Sequence, residues 1–266
     1  LQCYLVIADD TVDTSETRNG FPCWYRYEGV GMRAIVDGQI LGNSVYVLLK
    51  RHFSNHNCYA SLIQLFREAA FQVTVGQIID MLAVSKGKPQ FNNFTMDMFK
   101  ATASNKSAYA FFILPNIATM YLAEIYDEQL YRDTKSILFR LGEYLQVQND
   151  MSDCYGNPEA TGKKGNDIMH GKNTWLIGKA LQNATKVQRR IIEEHYGKTE
   201  LESQQKILAI YDSLHLLDYY LQYEEETYHQ ICEDVLKLPN KSLSNYLLNL
   251  TDIVFVRDTN NNSLSH

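Results

Sequence analysis

Several features that mark common protein classes are scarce in this chain of 266 residues. Glycine and proline number only 14 and 5, and no low-complexity run interrupts the chain before the polar tail RDTNNNSLSH, which favours one mostly helical domain. No apolar run reaches the roughly 20 residues that a transmembrane segment needs. Basic residues are fewer than acidic ones, 25 against 31, for a formal net charge of -6. That balance excludes the basic footprint of a nucleic-acid-binding protein.

The five cysteines are odd in number, widely spaced and without a Cys-x-x-Cys pair. This pattern predicts neither a zinc ribbon nor a disulfide framework, and it favours a reducing compartment, the cytoplasm. The sequence begins at Leu1 in mid-pattern, so we interpret it as a fragment or processed form, and a targeting signal before Leu1 would not be visible. His52 and His56 are four residues apart, with Cys58 beyond, and could form a metal site, but the histidines are interpreted as surface residues because no carboxylate accompanies them.

Apolar residues recur with helical spacing through most of the chain, whereas strand-like alternation is hard to find. The predicted helices are segments 40–53, 59–83, 106–125, 134–155, 172–186, 200–220 and 224–237. Pro115 lies inside the nearly all-apolar segment 106–125 and predicts a kink in a helix buried on most sides. Loops rich in Gly, Pro, Asn and Lys are expected at 85–93 and 155–167. The sequence therefore predicts an all-α bundle.

The stretch LVIADDTVDTSETRNG, residues 5–20, places three aspartates directly after an apolar run. Asp9 and Asp13 are four residues apart and share one face of a predicted buried helix, with Asp10 beside them. Like charges at this spacing repel each other. Magnesium would relieve the repulsion because it takes hard oxygen ligands and commonly shares them with substrate phosphates. The alternative is a solvated acidic helix end.

A second cluster with the same spacing, Asn149, Asp150 and Asp153, ends the predicted helix 134–155. Helical bundles build metal sites from side chains on facing helices, so we expect the two clusters to face each other. Basic side chains follow in the same regions: Lys106, Lys163, Lys164 and Lys172. Together these residues predict a polyphosphate held between metal ions and basic side chains.

These motifs make the sequence resemble the trans-isoprenyl diphosphate synthases, most closely the animal farnesyl diphosphate synthases. The matching stretches keep the order of that family along nearly the whole chain: DDTVD, TRNGFPCWYR, GQIIDML, NKSAYAFFILP, YLQVQNDMSD, YGNPEATGKKGNDI, KNTWL and LQYEEETY. The resemblance implies a class I isoprenoid synthase-like helical bundle around a central cavity, usually a homodimer. Residues 1–266 would form a single isoprenoid-synthase domain that lacks its N-terminal helices. The acidic run in LQYEEETY would be structural.

The resemblance also implies roles for individual residues around a prenyl diphosphate and three Mg²⁺ ions. The metal-binding set would be Asp9, Asp10, Asp13, Asn149, Asp150 and Asp153. The three carboxylates of the first motif, with Lys106 and Lys163, would be the catalytic residues. The substrate-binding residues would be Gln2, Arg18, Gln77, Asp80, Lys106, Ser107, Gln146, Lys163, Asp167 and Lys172. The cavity wall would consist of Tyr4, Leu5, Tyr109, Tyr144 and Leu145, with the rest of the run YAFF at 109–112.

Three departures from the family's pattern bear on the reaction. Asn19 stands where the family has the second of two adjacent arginines, and the tail VFVRDTNNNSLSH lacks the family's basic run. Both changes remove positive charge from the site of isopentenyl diphosphate. Asn149 stands where the synthases usually have aspartate, as in class I terpene synthases, including insect ones derived from farnesyl diphosphate synthases. The changes favour a terpene synthase that ionises an allylic diphosphate, preferably farnesyl diphosphate, and forms a sesquiterpene with release of diphosphate.

Two alternatives stay open. One is a farnesyl diphosphate synthase, a prenyltransferase that condenses isopentenyl diphosphate with dimethylallyl or geranyl diphosphate and tolerates Asn19. The other is a non-catalytic homologue that serves as a subunit. The retained acidic motifs argue against the second alternative because buried charge is costly for a protein that makes no use of it.

Overall fold

The structure is a computed structural model in which residues 1–157 and 165–256 are described. The helices are α1 (Gln2–Val12), α2 (Arg33–Phe53), α3 (Tyr59–Met81), α4 (Met96–Thr102), a π-helical segment (Ala103–Ile113), α5 (Leu114–Leu122), α6 (Glu128–Tyr155), α7 (Asp167–His170), α8 (Trp175–Asn183), α9 (Lys186–His195), α10 (Leu201–Ser213), α11 (Leu216–Leu236) and α12 (Lys241–Val254). Strands β1 (Thr17–Arg18) and β2 (Phe21–Pro22) form one small antiparallel hairpin, and β3 (Val84–Ser85) and β4 (Lys88–Pro89) form another. The predicted all-α fold class is confirmed.

The long helices follow the sequence periodicity, with shifts at their ends. Segment 59–83 is α3, and segment 134–155 belongs to α6, which begins earlier because Asp127 caps it by accepting a hydrogen bond from the Leu130 N–H at 2.6 Å. Segment 200–220 is divided into α10 and the start of α11, because His215 adopts left-handed backbone with φ 53°.

The predicted irregularity at Pro115 takes the form of a change in hydrogen-bond register. A helical run extends from Met96 to Leu122, and over Ala103–Ile113 its hydrogen bonds span five residues. At the end of this π-helical segment the Leu114 N–H donates to the Tyr109 carbonyl. Pro115 follows in the first turn of α5, next to the change of register, and has no N–H of its own to place.

The π-helical segment packs between α3 and α6, and glycines allow both helices to approach it closely. A Cβ atom added to Gly76 of α3 would lie 2.6 Å from the Lys106 backbone nitrogen. One added to Gly142 of α6 would lie 2.2 Å from the Ala108 Cβ. Because no side chain fits at either position, the two glycines fix how close α3 and α6 come to the segment that carries Lys106 and Ser107.

The main core lies under these helices and extends from Leu65 in α3 to Phe255 after α12. Helix α1 lies outside it, against α2, where the Tyr4 ring contacts Gly38 and Gly42. The expectation that α1 is a buried helix is wrong for the described chain, since Asp10 is its one buried residue. No described helix is both long enough and apolar enough to cross a membrane.

Candidate functional site

A cavity of about 1030 Å³ opens beside α1, α3, the π-helical segment and α6. Its polar lining includes Asp9, Asp13, Asp80, Lys106, Ser107, Gln146, Asn149, Asp150, Asp153, Asp167 and Lys172. Its apolar lining includes Val6, Phe99, Phe111 and Leu145. The structure therefore brings most of the predicted metal-binding and substrate-binding residues together around one cavity, with a charged part and an apolar part.

The two outer aspartates of the first motif each face a lysine from a distant part of the chain. Asp9 Oδ1 lies 2.8 Å from Lys106 Nζ, an ion pair without a well-aligned hydrogen bond. Lys106 Nζ also donates to Asp80 Oδ2 at 2.8 Å. Asp13 Oδ2 accepts from Lys172 Nζ at 2.8 Å, and its Oδ1 accepts from Gln77 Nε2 at 3.3 Å. Each lysine thus holds carboxylates in place.

These contacts favour the charged forms of Asp13, Lys106 and Lys172. Burial alone would raise the pKa of Asp13, but the charges of Lys172 and Lys106 outweigh burial, and the pKa lies below its usual range. Burial would likewise lower the pKa of Lys106, yet the neighbouring Asp80, Asp9 and Asp13 raise it. The pKa of Lys172 is raised well above its usual range, since Asp167 and Asp13 outweigh its burial. The carboxylate of Asp13 and the ammonium groups of Lys106 and Lys172 therefore stay charged within the cavity.

Asp10 differs from its two neighbours in the motif. It is buried and forms a two-point ion pair with Arg18, whose Nη2 and Nε lie 2.6 Å and 3.3 Å from its carboxylate oxygens. Adjacent residues of a helix point about 100° apart, so Asp10 is directed away from the side shared by Asp9 and Asp13. The structure places Asp10 as a partner of Arg18, while Arg18 itself also lines the cavity.

The second motif is held by backbone N–H groups. Asp150 Oδ2 accepts from the Trp175 N–H at 2.8 Å, at the start of α8, and Asp150 Oδ1 accepts from Gln146 Nε2 at 2.9 Å. Burial and then the charge of Asp167 raise the pKa of Asp150 well above its usual range. Asp153 Oδ2 accepts from the N–H groups of Asn166 and Asp167, each at 2.9 Å. These two carboxylates fix α8 and α7 beside the cavity.

Within residues 1–157 and 165–256, no three His, Cys, Asp or Glu side chains are arranged to hold a metal ion. The two acidic motifs line the same cavity, but lysine ammonium groups lie between carboxylates, as with Lys106 between Asp9 and Asp80. The donor set nevertheless fits Mg²⁺, because it consists of hard carboxylate and amide oxygens. The lysine ammonium groups lie where these oxygens already accept a positive charge between them. The magnesium site stays a prediction.

Several predicted residues lie away from the cavity or outside the described ranges. Gln2 is exposed at the start of α1, and Leu5 packs against the core. Lys163 and Lys164 fall outside the described residues.

Other predicted residues do line the cavity. Ser107 Oγ donates to Gln146 Oε1 at 2.5 Å, which joins the π-helical segment to α6. In YAFF, Phe111 lines the cavity.

The predicted cavity wall is only partly correct, because the rings of Tyr4, Tyr109 and Tyr144 have other partners. Tyr4 packs on α2, and the Tyr109 hydroxyl donates to Glu68 Oε1 at 2.8 Å. Tyr144 is fully buried, stacks on Phe255 with 3.7 Å between ring centroids, and donates its hydroxyl to Glu224 of α11. Leu145, the next residue, does line the cavity. Glu224 belongs to the run EEE, so this contact agrees with the structural role predicted for the run.

The variant Tyr144→Phe tests this correction. Glu224 also accepts from Tyr220 at 3.3 Å, so removal of the Tyr144 hydroxyl leaves the carboxylate one donor. We expect the free energy of unfolding to fall by about 1 kcal/mol and the product distribution to stay unchanged, as measured by thermal denaturation and by mass spectrometry of the products. A changed product length with unchanged stability would restore Tyr144 to the cavity wall.

The alternative metal site at His52, His56 and Cys58 is not formed in the structure. Both histidines are exposed, as interpreted from the sequence, whereas Cys58 is buried beneath them with its Sγ 3.7 Å from His56 Nδ1. Sequence reasoning also missed one cation in the cavity lining, Arg26. A basic residue in the turn that follows the first acidic motif was the available signal.

Comparison with known proteins adds independent findings. The family described as Polyprenyl synthetase matches residues 1–214. The farnesyl pyrophosphate synthase of Kluyveromyces lactis is 40% identical over 238 residues, which are 90% of this chain and 68% of that protein. That of Gallus gallus is 36% identical over 256 residues, 96% of this chain and 70% of the relative. That of Murgantia histrionica is 40% identical over 238 residues, 90% of this chain and 58% of the relative.

The prediction of a terpene synthase is wrong. The relatives are named farnesyl pyrophosphate synthase at up to 40% identity over 90% of this chain, which agrees with the prenyltransferase alternative instead. The prediction gave too much weight to three departures from the family's pattern: Asn19, Asn149 and the tail that lacks the basic run. A charge missing at one position does not define the reaction, because a neighbouring residue can supply it.

The family itself follows from two agreeing observations. The structure gathers both acidic motifs, Lys106 and Lys172 around a single cavity of an all-α fold. The match to the family covers residues 1–214, and the curated relatives align with most of the chain. The chain therefore belongs to the polyprenyl synthetase family, the trans-isoprenyl diphosphate synthases.

Proposed function

We propose that this chain is a farnesyl diphosphate synthase, which condenses isopentenyl diphosphate with dimethylallyl or geranyl diphosphate. The observation that carries the proposal is the division of the cavity into a part with opposed aspartates and lysines and a part lined by Val6, Phe99 and Phe111. A prenyl diphosphate has the matching halves, a polyanion and an apolar chain. The names of the relatives support the same reaction.

In this proposal Asp9, Asp13, Asn149, Asp150 and Asp153 would hold three Mg²⁺ ions. Bound Mg²⁺ would neutralise the diphosphate and make it a better leaving group. Basic side chains would bind the diphosphate oxygens of the allylic substrate. These side chains are Arg18, Lys106, Lys163 and Lys172. On binding, Lys106 and Lys172 would exchange their contacts with carboxylates for contacts with diphosphate.

The apolar lining would protect the allylic carbocation, the reactive intermediate, from water. When the allylic C–O bond breaks, its electron pair leaves with the diphosphate and a carbocation remains. Phe99, Phe111 and Leu145 exclude water, which would otherwise capture the cation before the double bond of isopentenyl diphosphate attacks it. The attack moves the positive charge to the isopentenyl unit, and loss of a proton from that unit to the released diphosphate then forms the new double bond of the elongated product.

Three further assignments belong to the proposal. Residues 1–266 form one isoprenoid-synthase domain, supported by a core that extends from Leu65 to Phe255. The protein is a homodimer, supported by apolar side chains that α2 exposes, among them Ile40 and Val47, which are 60% and 67% exposed. It works in the cytoplasm, supported by five cysteines, all in the described ranges, that form no disulfide.

Product analysis of the full-length protein with Mg²⁺ tests the proposed reaction. We expect farnesyl diphosphate from isopentenyl diphosphate with dimethylallyl or geranyl diphosphate, and no product from any single substrate, because carbon–carbon bond formation needs both. Chelation of the metal with EDTA is expected to stop the reaction, and excess Mg²⁺ to restore it. Formation of a sesquiterpene hydrocarbon or alcohol from farnesyl diphosphate alone, without elongation, would contradict the proposal.

A further inference from the structure

One cation in the cavity lining has no place in the roles given above. Among the described residues, the lysines and arginines that line the cavity are Arg18, Arg26, Lys106 and Lys172. Arg18, Lys106 and Lys172 each have a carboxylate oxygen within 2.8 Å. The nearest carboxylate contact of Arg26 is to Glu16, at 3.7 Å, and the Glu16 side chain is 80% exposed. The positive charge of Arg26 is therefore the least neutralised of the four.

Backbone and hydroxyl hydrogen bonds hold Arg26 in place, and none of them neutralises its charge. The Cys23 N–H donates to the Glu16 carbonyl at 3.1 Å, and the Arg26 N–H donates to the Cys23 carbonyl at 2.8 Å. Cys23 itself is buried. The guanidinium donates from Nη1 to the Tyr25 hydroxyl at 3.2 Å, and that hydroxyl donates to the Ser15 carbonyl at 2.8 Å. Both anchors lie in the segment that follows the first acidic motif, so Arg26 keeps its position next to that motif.

Asn19, by contrast, is poorly suited to bind an anion. It and Gly20 are the two central residues of the hairpin between β1 and β2, and their φ angles are 52° and 78°. A two-residue hairpin with a type I′ turn requires positive φ at both of these residues. The Asn19 side chain is exposed and carries no charge. Asparagine adopts this backbone more readily than most residues, so the turn explains the asparagine, which lies outside the cavity lining, whereas Arg26 belongs to it.

We propose that Arg26 binds the diphosphate of the second substrate, isopentenyl diphosphate, and thereby supplies the charge that Asn19 lacks. This inference rests on the proposed function. A guanidinium presents a fork of N–H donors that matches phosphate oxygens at two points, and an exposed pair with Glu16 at 3.7 Å is weak enough to yield to such a ligand. Lys106 and Lys172 remain with the allylic diphosphate, so the two substrates have separate cationic groups.

Steady-state kinetics of the full-length protein test this assignment with Arg26→Gln, Arg26→Lys and the control Arg33→Gln. Arg33 is an exposed arginine of α2 that pairs with Asp37 at 3.4 Å, outside the cavity lining. We expect Arg26→Gln to raise the KM for isopentenyl diphosphate about tenfold or more, with kcat and the KM for geranyl diphosphate within about twofold of wild type. Arg26→Lys should retain part of the affinity, because it keeps the charge but loses the two-point fork, and Arg33→Gln should resemble wild type.

The outcomes separate this inference from the proposed function. An active wild-type enzyme whose KM for isopentenyl diphosphate is unchanged in Arg26→Gln would overturn the inference alone. Equal increases in both KM values would also overturn it, because they would indicate a general effect of charge on the cavity. A wild-type protein that does not condense the two substrates would refute the proposed function and this inference together.

Discussion

Replacement of Asp13 by asparagine is expected to lower kcat for farnesyl diphosphate formation by about 10³-fold. The aspartate is a proposed magnesium ligand and the partner of Lys172 Nζ at 2.8 Å. Asparagine keeps the size and one acceptor oxygen but removes the negative charge that attracts the metal. The bound diphosphate would then leave with less of its charge neutralised, so kcat falls because the allylic C–O bond breaks more slowly. Initial rates at saturating substrates and Mg²⁺ measure it.

The matched control for this variant is Asp218→Asn. Asp218 is a 78% exposed aspartate of α11, whose partner is His215 at 3.6 Å, and its replacement should leave kcat unchanged. A thermal denaturation curve for each variant separates chemistry from stability. Asp13→Asn leaves Lys172 with Asp167 as its remaining carboxylate, at 3.7 Å, so its melting temperature should fall, and kcat is measured at a temperature at which the variant is folded. Near-normal kcat in Asp13→Asn would contradict the role proposed for the first motif.

Replacement of Gly142 by alanine is expected to destabilise the protein by about 3 kcal/mol, at the upper end of the cost of overpacking. The added Cβ would lie 2.2 Å from Ala108 Cβ and 2.4 Å from Ala108 Cα, which belong to the π-helical segment. Backbone cannot rotate out of the way as a side chain can, so α6 and the segment must separate. For a chain of this size the melting temperature should fall by roughly 6–12 °C.

Activity should fall with stability in Gly142→Ala, because the two elements that separate carry opposite sides of the cavity. Lys106 and Ser107 lie on the π-helical segment, whereas Gln146 and Asp150 lie on α6. The control is Gly178→Ala in α8, where the added Cβ would meet only Met96 Sδ, at 2.9 Å, the flexible part of a side chain. If both variants melt alike, close backbone approach is not what joins α6 to the segment.

Sequence reasoning predicted the parts of the fold that depend on repetition along the chain. The extents of α3 and α6 followed from apolar spacing because both helices bury one continuous face. Helices α4, α9 and α12 were not predicted from the sequence. Helix α9 has few apolar residues to reveal a helical period. Helix α9 instead begins with a capping box, in which the side chains of Thr185 and Gln188 hydrogen-bond to each other's backbone N–H.

The candidate site was predictable as a set of residues but not as a geometry. Asp9, Asp13, Lys106 and Lys172 line one cavity as expected, although Asp13 and its partner Lys172 are 159 positions apart. The directions of side chains were not predictable, because spacing alone does not tell which face of a helix meets which neighbour. Asp10 therefore faces Arg18, and Tyr144 faces Glu224 rather than the cavity. The reaction was also misjudged, since the prediction relied on the charge missing at Asn19 and did not consider Arg26, which lines the cavity.

A crystal structure of the full-length protein with Mg²⁺ and a non-ionisable allylic thiodiphosphate tests the central claim, that the two lysines exchange carboxylates for diphosphate. We predict that Lys106 Nζ leaves Asp9 Oδ1, now 2.8 Å away, and that Lys172 Nζ leaves Asp13 Oδ2, also 2.8 Å away. Both ammonium groups would contact diphosphate oxygens while Asp9 and Asp13 bind metal. A diphosphate bound outside this cavity, or bound with both lysines still on their carboxylates, would contradict the claim.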